Sequence, residues 1–317
     1  MHNSDITKDA LHAVYSATGS LPGVVSRSKP VMGITGTISL VGGSTELLEE
    51  CWNLATRCES KWSRFIPSSD ISVLNLAEGN PVHVDGLTIR LIQEMKSGAE
   101  LALGFFDPTQ VKSVIDAGYG SSLLDPAQTT LLPDSAAFQG DVAGIVIDGE
   151  TVTMPIGTVL DPGGIGKGLA GDLVSEFALA EGAWGVMVEF GGDIVVAGKA
   201  PDGKAWRIGV ENPFGDEQHV DVVRLLSGGV ATSSQRKRRF DSQHHLIDPA
   251  THSSAMTTVQ TVTVIAASGS RAEVLTKPGF VMFTQDYVDW LPRVGAAGLV
   301  IDDDGTITMS SNWARYR

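Results

Sequence analysis

Apolar residues recur along this chain at two spacings. From Ile34 to Val41 they alternate with small polar residues, several of them β-branched, which predicts a strand. The spacing then changes to three and four. Leu48, Cys51, Trp52, Ala55 and Trp62 make one stripe, predicting a helix from about Thr45 to Trp62. A second helix is predicted from a cap at Asp85 to Leu103, with Leu91, Ile92, Met95 and Ala99 inward. Residues 145–147 and 152–154 flank Asp148-Gly149-Glu150 as in a short hairpin, and a third helix is predicted from about Lys167 to Ala180. Alternation dominates thereafter. Residues 186–190, 194–197, 206–211, 220–226 and 259–266 read as strands. A short helix covers 270–276 and ends before Pro278, and 299–302 with 306–309 form a closing hairpin. Strands come in runs rather than in strict alternation with helices, so the fold class is α+β with a largely antiparallel sheet. Residues 1–30, broken by Pro22-Gly23 and Lys29-Pro30, are predicted to be a loosely ordered arm before a folded region of 31–317.

Charge narrows the partners. The formal net charge is −14, a sign that repels phosphate backbones and anionic lipid and argues against nucleic acid and membrane surfaces. An anionic ligand must therefore be held by a local site that overrides the global field. Cys51 and Cys58 lie seven apart in one predicted helix, about 10 Å along its axis, beyond the reach of a disulfide. They are expected to be reduced core residues. With an opening stretch Met1-His2-Asn3-Ser4-Asp5 unlike a signal peptide, and no run long enough to span a membrane, a cytoplasmic protein is expected.

Residues 161–172 (DPGGIGKGLAGD) put several glycines and one lysine at a helix start. Such a loop can offer N–H groups and a point charge to a phosphate, or simply let a helix pack closely. Gly166 to Gly171 matches G-x-G-x-x-G in form, but only Val159-Leu160 precede it as strand; a Walker loop would need Ser or Thr where Gly168 stands. Gly191-Gly192-Asp193 reads as a β-turn. The run Arg236-Lys237-Arg238-Arg239, beside Ala231-Thr232-Ser233-Ser234, is either a solvated face or a phosphate or acidic-partner contact. His244 and His245 are adjacent, so on a strand they would face opposite ways and would not share a metal; one of them as a general base near Asp248 fits better. Aromatic turns at Trp62 to Pro67 and Gly104 to Thr109 could serve a flat ring system.

In this order the segments resemble the ApbE family of FAD:protein FMN transferases: Gly36-Thr37, 62–75 (WSRFIPSSDISVLN), 106–109 (FDPT), 161–172, 191–193 (GGD), 231–233 (ATS) and 245–249 (HLIDP). The resemblance spans roughly 33–285. It implies a T-fold-related α+β architecture with a ligand cleft between two closely packed subdomains, divided near 155–160. It also implies FAD and magnesium as ligands, and transfer of FMN to a threonine hydroxyl of an acceptor protein with release of AMP. By the same resemblance Thr35, Phe65, Phe106, Asp107, Asp161, Lys167 and Leu246 contact FAD, with Thr35 standing where the family often has methionine. His245, Asp248 and Lys167 serve the diphosphate chemistry, with His245 as base. Gly164 offers a backbone carbonyl to the metal.

The remaining metal ligands of the family lie in A-D-A-x-x-T. Here the stretch is Ala272-Glu273-Val274-Leu275-Thr276-Lys277, so Glu273 replaces the aspartate and Lys277 the threonine. Thr276 lies about 100° further round the helix and serves as a ligand only if the register slips. Ser234 and His252 replace usual glycines, and Pro278-Gly279 interrupts a usual helix. A working transferase is expected first. The alternative is a flavin-binding or flavin-trafficking protein, or an FAD diphosphatase, with Lys277 in place of the metal charge.

Overall fold

The computed structural model describes residues 22–122, 124–215, 219–237, 239–240 and 243–317. Its centre is an eight-stranded sheet of β1 (Val24–Val31), β2 (Ile34–Val41), β3 (Gly185–Phe190), β4 (Asp193–Gly198), β5 (Gly228–Ser234), β6 (Val259–Ala266), β7 (Ala297–Asp302) and β8 (Ile307–Met309). Their spatial order follows the chain, and every neighbouring pair is antiparallel. The helices are α1 (Thr45–Trp62), α2 (Asp70–Asn75), α3 (Gly86–Leu101), α4 (Val111–Asp116), α5 (Gly166–Ala180), α6 (Gly269–Leu275) and α7 (Thr284–Trp290).

Successive residues of the strands enter different cores, because side chains alternate across a pleated sheet. Ile38, Leu40, Val186 and Val188 meet α1, α3 and α5, whereas Val196, Val230, Ile265 and Leu299 meet a hairpin of strands Trp206–Glu211 and His219–Leu225. Burial on both faces explains the continuous apolar runs at 264–266 and 297–301. Cys51 and Cys58 are buried and free, and burial pushes their thiols up to about 11 and about 12, so neither is a nucleophile at neutral pH. No helix among the described residues is long and apolar enough to cross a membrane.

Two sequence expectations change. Val24–Val31, all but its last residue placed in the loose arm, pairs along its whole length with β2. Pro30 is tolerated there because β1 is an edge strand, whose ladder has a free side. The remainder of the predicted arm, 1–21, lies outside the described residues. The second change is at β5, whose sequence Gly-Gly-Val-Ala-Thr-Ser-Ser looks polar but which sits between β4 and β6.

The register of the strands puts the turns Met32-Gly33 and Gly191-Gly192 and the connection 235–258 at one end of the sheet. Helix α5 starts near that end. It touches α6 through backbone, since a Cβ on Gly168 would come 2.3 Å from Gly269 O. Asp172, the last residue of the glycine-rich segment, locks this contact. Its two oxygens accept from Gly269 N (2.6 Å) and Ser270 N (2.9 Å) at the start of α6. Burial raises the Asp172 carboxyl to about 6 against those two bonds. An unfolded aspartate releases its proton near pH ~3.9, so between about 4 and 6 the native state binds more protons and unfolding free energy falls as pH rises. Asp172→Asn should lack that component. In urea melts at several pH values, the stability of wild type relative to the variant should decline across this window by up to ~1.4 kcal/mol per unit. Parallel pH profiles would refute the assignment.

Candidate active site

Pro108 and Asp161 bring the two halves of the site together, the Asp161 N–H donating to Pro108 O at 2.8 Å. The Asp161 carboxylate caps a 3-10 turn over Pro162–Gly164, accepting from Gly163 N at 2.8 Å. Phe106 and Lys277 close on Gly164 so tightly that a Cβ there would lie 2.9 Å from Phe106 Cε2 and 3.3 Å from Lys277 Cε. Glycine is needed here for close approach. The loop divides two adjoining cavities. One of about 250 Å³ is lined by Met32, Gly33, Trp62, Arg64, Phe65 and Lys167; the other, about 80 Å³, by Phe106, Asp107, Gly164, His245, Leu246 and Lys277. Tyr119, Asp161 and Gly163 belong to both. A larger hollow of about 470 Å³ lies against α5 and α6, where Asp172 already serves as a cap.

An aromatic and cationic shelf lines the first cavity. The Arg64 guanidinium lies 4.3 Å from the Phe65 ring centre and 4.8 Å from that of Tyr119, and the two rings meet edge-on at 5.6 Å. Arg64 is buried. It donates to Tyr119 O at 2.7 Å and to Thr130 Oγ1, and its Nε lies 3.5 Å from Asp161 Oδ2. A flat, electron-poor ring would find a preformed platform on this shelf.

Between the cavities and the sheet lies a buried charge cluster. Lys167 Nζ bonds Asp193 Oδ2 and, at 2.8 Å, Glu273 Oε1; the other Glu273 oxygen accepts from Gly168 N at 2.8 Å. Asp193 closes the two-residue turn Gly191-Gly192, both glycines at positive φ as a tight hairpin requires. Burial would raise both carboxyls. The Lys167 and Lys277 ammoniums and the Gly168 N–H more than offset it at Glu273, which lies below its ordinary value. Asp193 stays above its own, because burial and the neighbouring Glu273 charge outweigh Lys167.

Most of the other predicted residues fall in or beside the cavities. His245 follows strand Gln243–His244 in a bend and faces the smaller cavity with Leu246. His244 is structural. Its Nδ1 accepts from Leu246 N (3.3 Å), so Nε2 carries the proton and donates to Ala255 O (3.2 Å). Asp107 holds its own turn through Thr109 and Gln110. Gln110 Oε1 in turn accepts from His252 Nδ1 at 3.2 Å, tying the 105–110 segment to the 245–252 loop. His252 has φ 56, which accounts for the glycine usual at its position.

Two predicted residues lie elsewhere. Asp248 is not among the cavity-lining side chains; its Oδ1 accepts from Ala250 N in a turn. Thr35 is exposed on β2, and Met32, three residues earlier, lines the larger cavity instead. Met32 takes φ 51 and is pinned by its N–H to Glu59 Oε1 (2.8 Å). In the basic run, Arg236 donates to Pro213 O and Lys237 meets Glu211 at 3.4 Å beside the Gly192 turn, and neither lines the two cavities; Arg238 and the Arg239 side chain lie outside the described residues.

The profile of the ApbE family matches residues 32–299. The chain belongs to the ApbE family. It is similar to the ApbE protein of Thermotoga maritima, with 28% identity and a TM-score of 0.80 over 93% of this chain and 99% of that one. It is also similar to the flavin transferase ApbE of Vibrio cholerae, with 25% identity and a TM-score of 0.78 over 94% of this chain and 100% of that one. The FAD:protein FMN transferase of Haemophilus influenzae is 25% identical over 312 residues, 91% of this chain and 90% of that one.

Among ApbE proteins the metal was expected at Gly164, Glu273 and a slipped Thr276, and the donor set of this chain does not fit one. No slip occurs: Lys277 lies two residues past the end of α6 with right-handed backbone angles, its N–H on Val274 O at 3.1 Å. Thr276 is fully buried and its hydroxyl donates to Glu273 O (2.7 Å). Lys277 Nζ instead reaches Glu273 O, Ser233 Oγ and Thr276 Oγ1 at 3.0, 3.1 and 3.1 Å. An ammonium donates and cannot ligate. A divalent ion about 4 Å from it would be repelled by roughly 8 kcal/mol at an effective dielectric of ~20. Arg64, Tyr119 and Met32, which line the cavities, and Asp193 in the charge cluster were not singled out from the sequence as site residues, because nothing local marks them. Only the motif around Arg64 and the Gly-Gly-Asp turn gave a hint.

Proposed function

We propose that this protein is an FAD:protein FMN transferase, carrying FMN from FAD to a threonine hydroxyl of an acceptor protein. The observation that carries the reading is the glycine loop as common wall of two cavities, with an aromatic shelf on one side and His245 and Lys277 on the other. Isoalloxazine would stack on the Arg64–Phe65–Tyr119 shelf, with the diphosphate crossing the loop. His245 would take the proton of the threonine hydroxyl as its oxygen bonds to the FMN phosphorus. The bond from that phosphorus to the bridging oxygen breaks, and AMP leaves. Negative charge on the diphosphate and on AMP needs fixed positive partners and N–H donors. No step is assigned to a metal.

The test uses purified protein, FAD and a threonine-bearing acceptor. Covalent flavin on a denaturing gel, one AMP per flavin attached and loss of label when the acceptor threonine becomes alanine are expected. AMP with free FMN would establish a diphosphatase, and tight FAD binding without AMP a carrier. Two buried, free cysteines suit a reducing compartment, and we place the protein in the cytoplasm. Recovery outside that fraction would overturn the placement.

A further inference from the structure

We propose that the Lys277 ammonium is the resident cation for the FAD diphosphate, so that FAD is held without a divalent metal; the ligand's identity rests on the function proposed above. Lys277 lines the same cavity as Asp161, Gly164 and His245. Three oxygens, those of Glu273 O, Ser233 Oγ and Thr276 Oγ1, hold its nitrogen at 3.0–3.1 Å. These three acceptors are neutral and orient the ammonium; the carboxylates that feel its charge, Glu273 and Asp193, are bridged by Lys167. Oxygen donors of this kind also suit a hard cation, and here the protein has placed its own among them.

The lysine of the glycine loop has a different task. Lys167 bridges Asp193 and Glu273, two buried carboxylates, and thereby joins α5 to the turn before β4 and to α6. Lys277 is fixed at both ends. Its backbone closes α6 onto Val274 O, and Pro278 starts a 3-10 turn immediately after it. A lysine is a compact point charge suited to phosphate oxygens. In a chain of net charge −14, a dianionic ligand needs such a local positive centre.

The experiment measures the dissociation constant of FAD, by flavin fluorescence, in EDTA and in excess magnesium chloride. Wild type should bind equally in both, within about twofold, whereas Lys277→Met should bind some ten- to hundredfold more weakly and Lys277→Arg should retain most of the affinity. Melting temperatures without FAD establish that each variant is folded, and the wild-type arm needs no variant. Binding by wild type that fails in EDTA and returns with magnesium would overturn the inference, as would an unchanged constant in folded Lys277→Met or no FAD binding in either buffer. The flavinylation assay separates the two proposals. EDTA-insensitive, Lys277-dependent binding without covalent flavin would sink the transferase reading and leave this inference standing. Covalent flavin together with magnesium-dependent binding would do the reverse.

Discussion

Replacing His245 by alanine should lower the rate of FMN transfer by about 10²–10⁴-fold, the range in which a positioned general base contributes. FAD affinity should change little, because the shelf of Arg64, Phe65 and Tyr119 and the Lys277 ammonium are on other elements. Stability should also change little, since the structural histidine is the neighbour, His244, bonded on both ring nitrogens. Single-turnover kinetics with saturating FAD separate the rate from binding. An imidazole accepts a proton only when neutral, so wild type should show an acid limb that His245→Ala lacks. A variant with wild-type single-turnover rates, or one whose loss lies wholly in FAD affinity, would remove His245 from the role of base. His244→Ala makes the contrasting control, with an expected loss of stability from the buried carbonyl and N–H it leaves unpaired.

How much of this was legible in the sequence depends on the length scale of each signal. Helix α1 and strands Trp206–Glu211 and β6 carry enough residues for a period to show, and they appear where the pattern puts them. Helices α2, α4 and α7 have six or seven residues, fewer than two turns, and their stripes are too short to register. Strand β5 was hidden by composition. Its glycines and hydroxyls look like loop, but Gly229 is there because Gly269 of α6 crosses it, with a Cβ predicted to fall 2.5 Å from Gly269 Cα. The candidate site divides in the same way. Phe65, Asp161, Lys167 and His245 sit in contiguous motifs. Met32, Tyr119 and Asp193 reach the site only through long-range folding, by an edge hairpin, a loop after α4 and a turn between β3 and β4. The sequence did expose the substitution at Lys277. What it could not show was that the ammonium would be seated among Ser233, Glu273 and Thr276 rather than turned to solvent.

Glu273→Ala should cost about 3–5 kcal/mol of folding stability, the penalty for breaking a buried ion pair by removing one partner. The carboxylate is 2% exposed and serves three groups at once: the Lys167 ammonium, the Gly168 N–H at the start of α5, and by charge Lys277. Removing it leaves two lysines facing Asp193 alone and an unsatisfied N–H where α5 and α6 are packed backbone to backbone. Glu273→Gln retains the shape and one acceptor but turns an NH₂ towards a donor, and its cost should fall between alanine and wild type. Lys167→Met combined with Glu273→Ala should be less damaging than the sum of the two, because each single variant strands the other's charge. Acid should reproduce part of the effect. The Glu273 carboxyl is lowered in the native state, so its contribution is complete above the ordinary carboxylate range and is lost as pH falls through and below it. Urea denaturation of Glu273→Ala, Glu273→Gln, Lys167→Met and the double variant, with the cycle at neutral pH and wild type followed to acid pH, measures all of this. A cost for Glu273→Ala below about 1 kcal/mol, typical of exposed pairs, would mean that water reaches the cluster and that it does not hold α5 and α6 in register around the site.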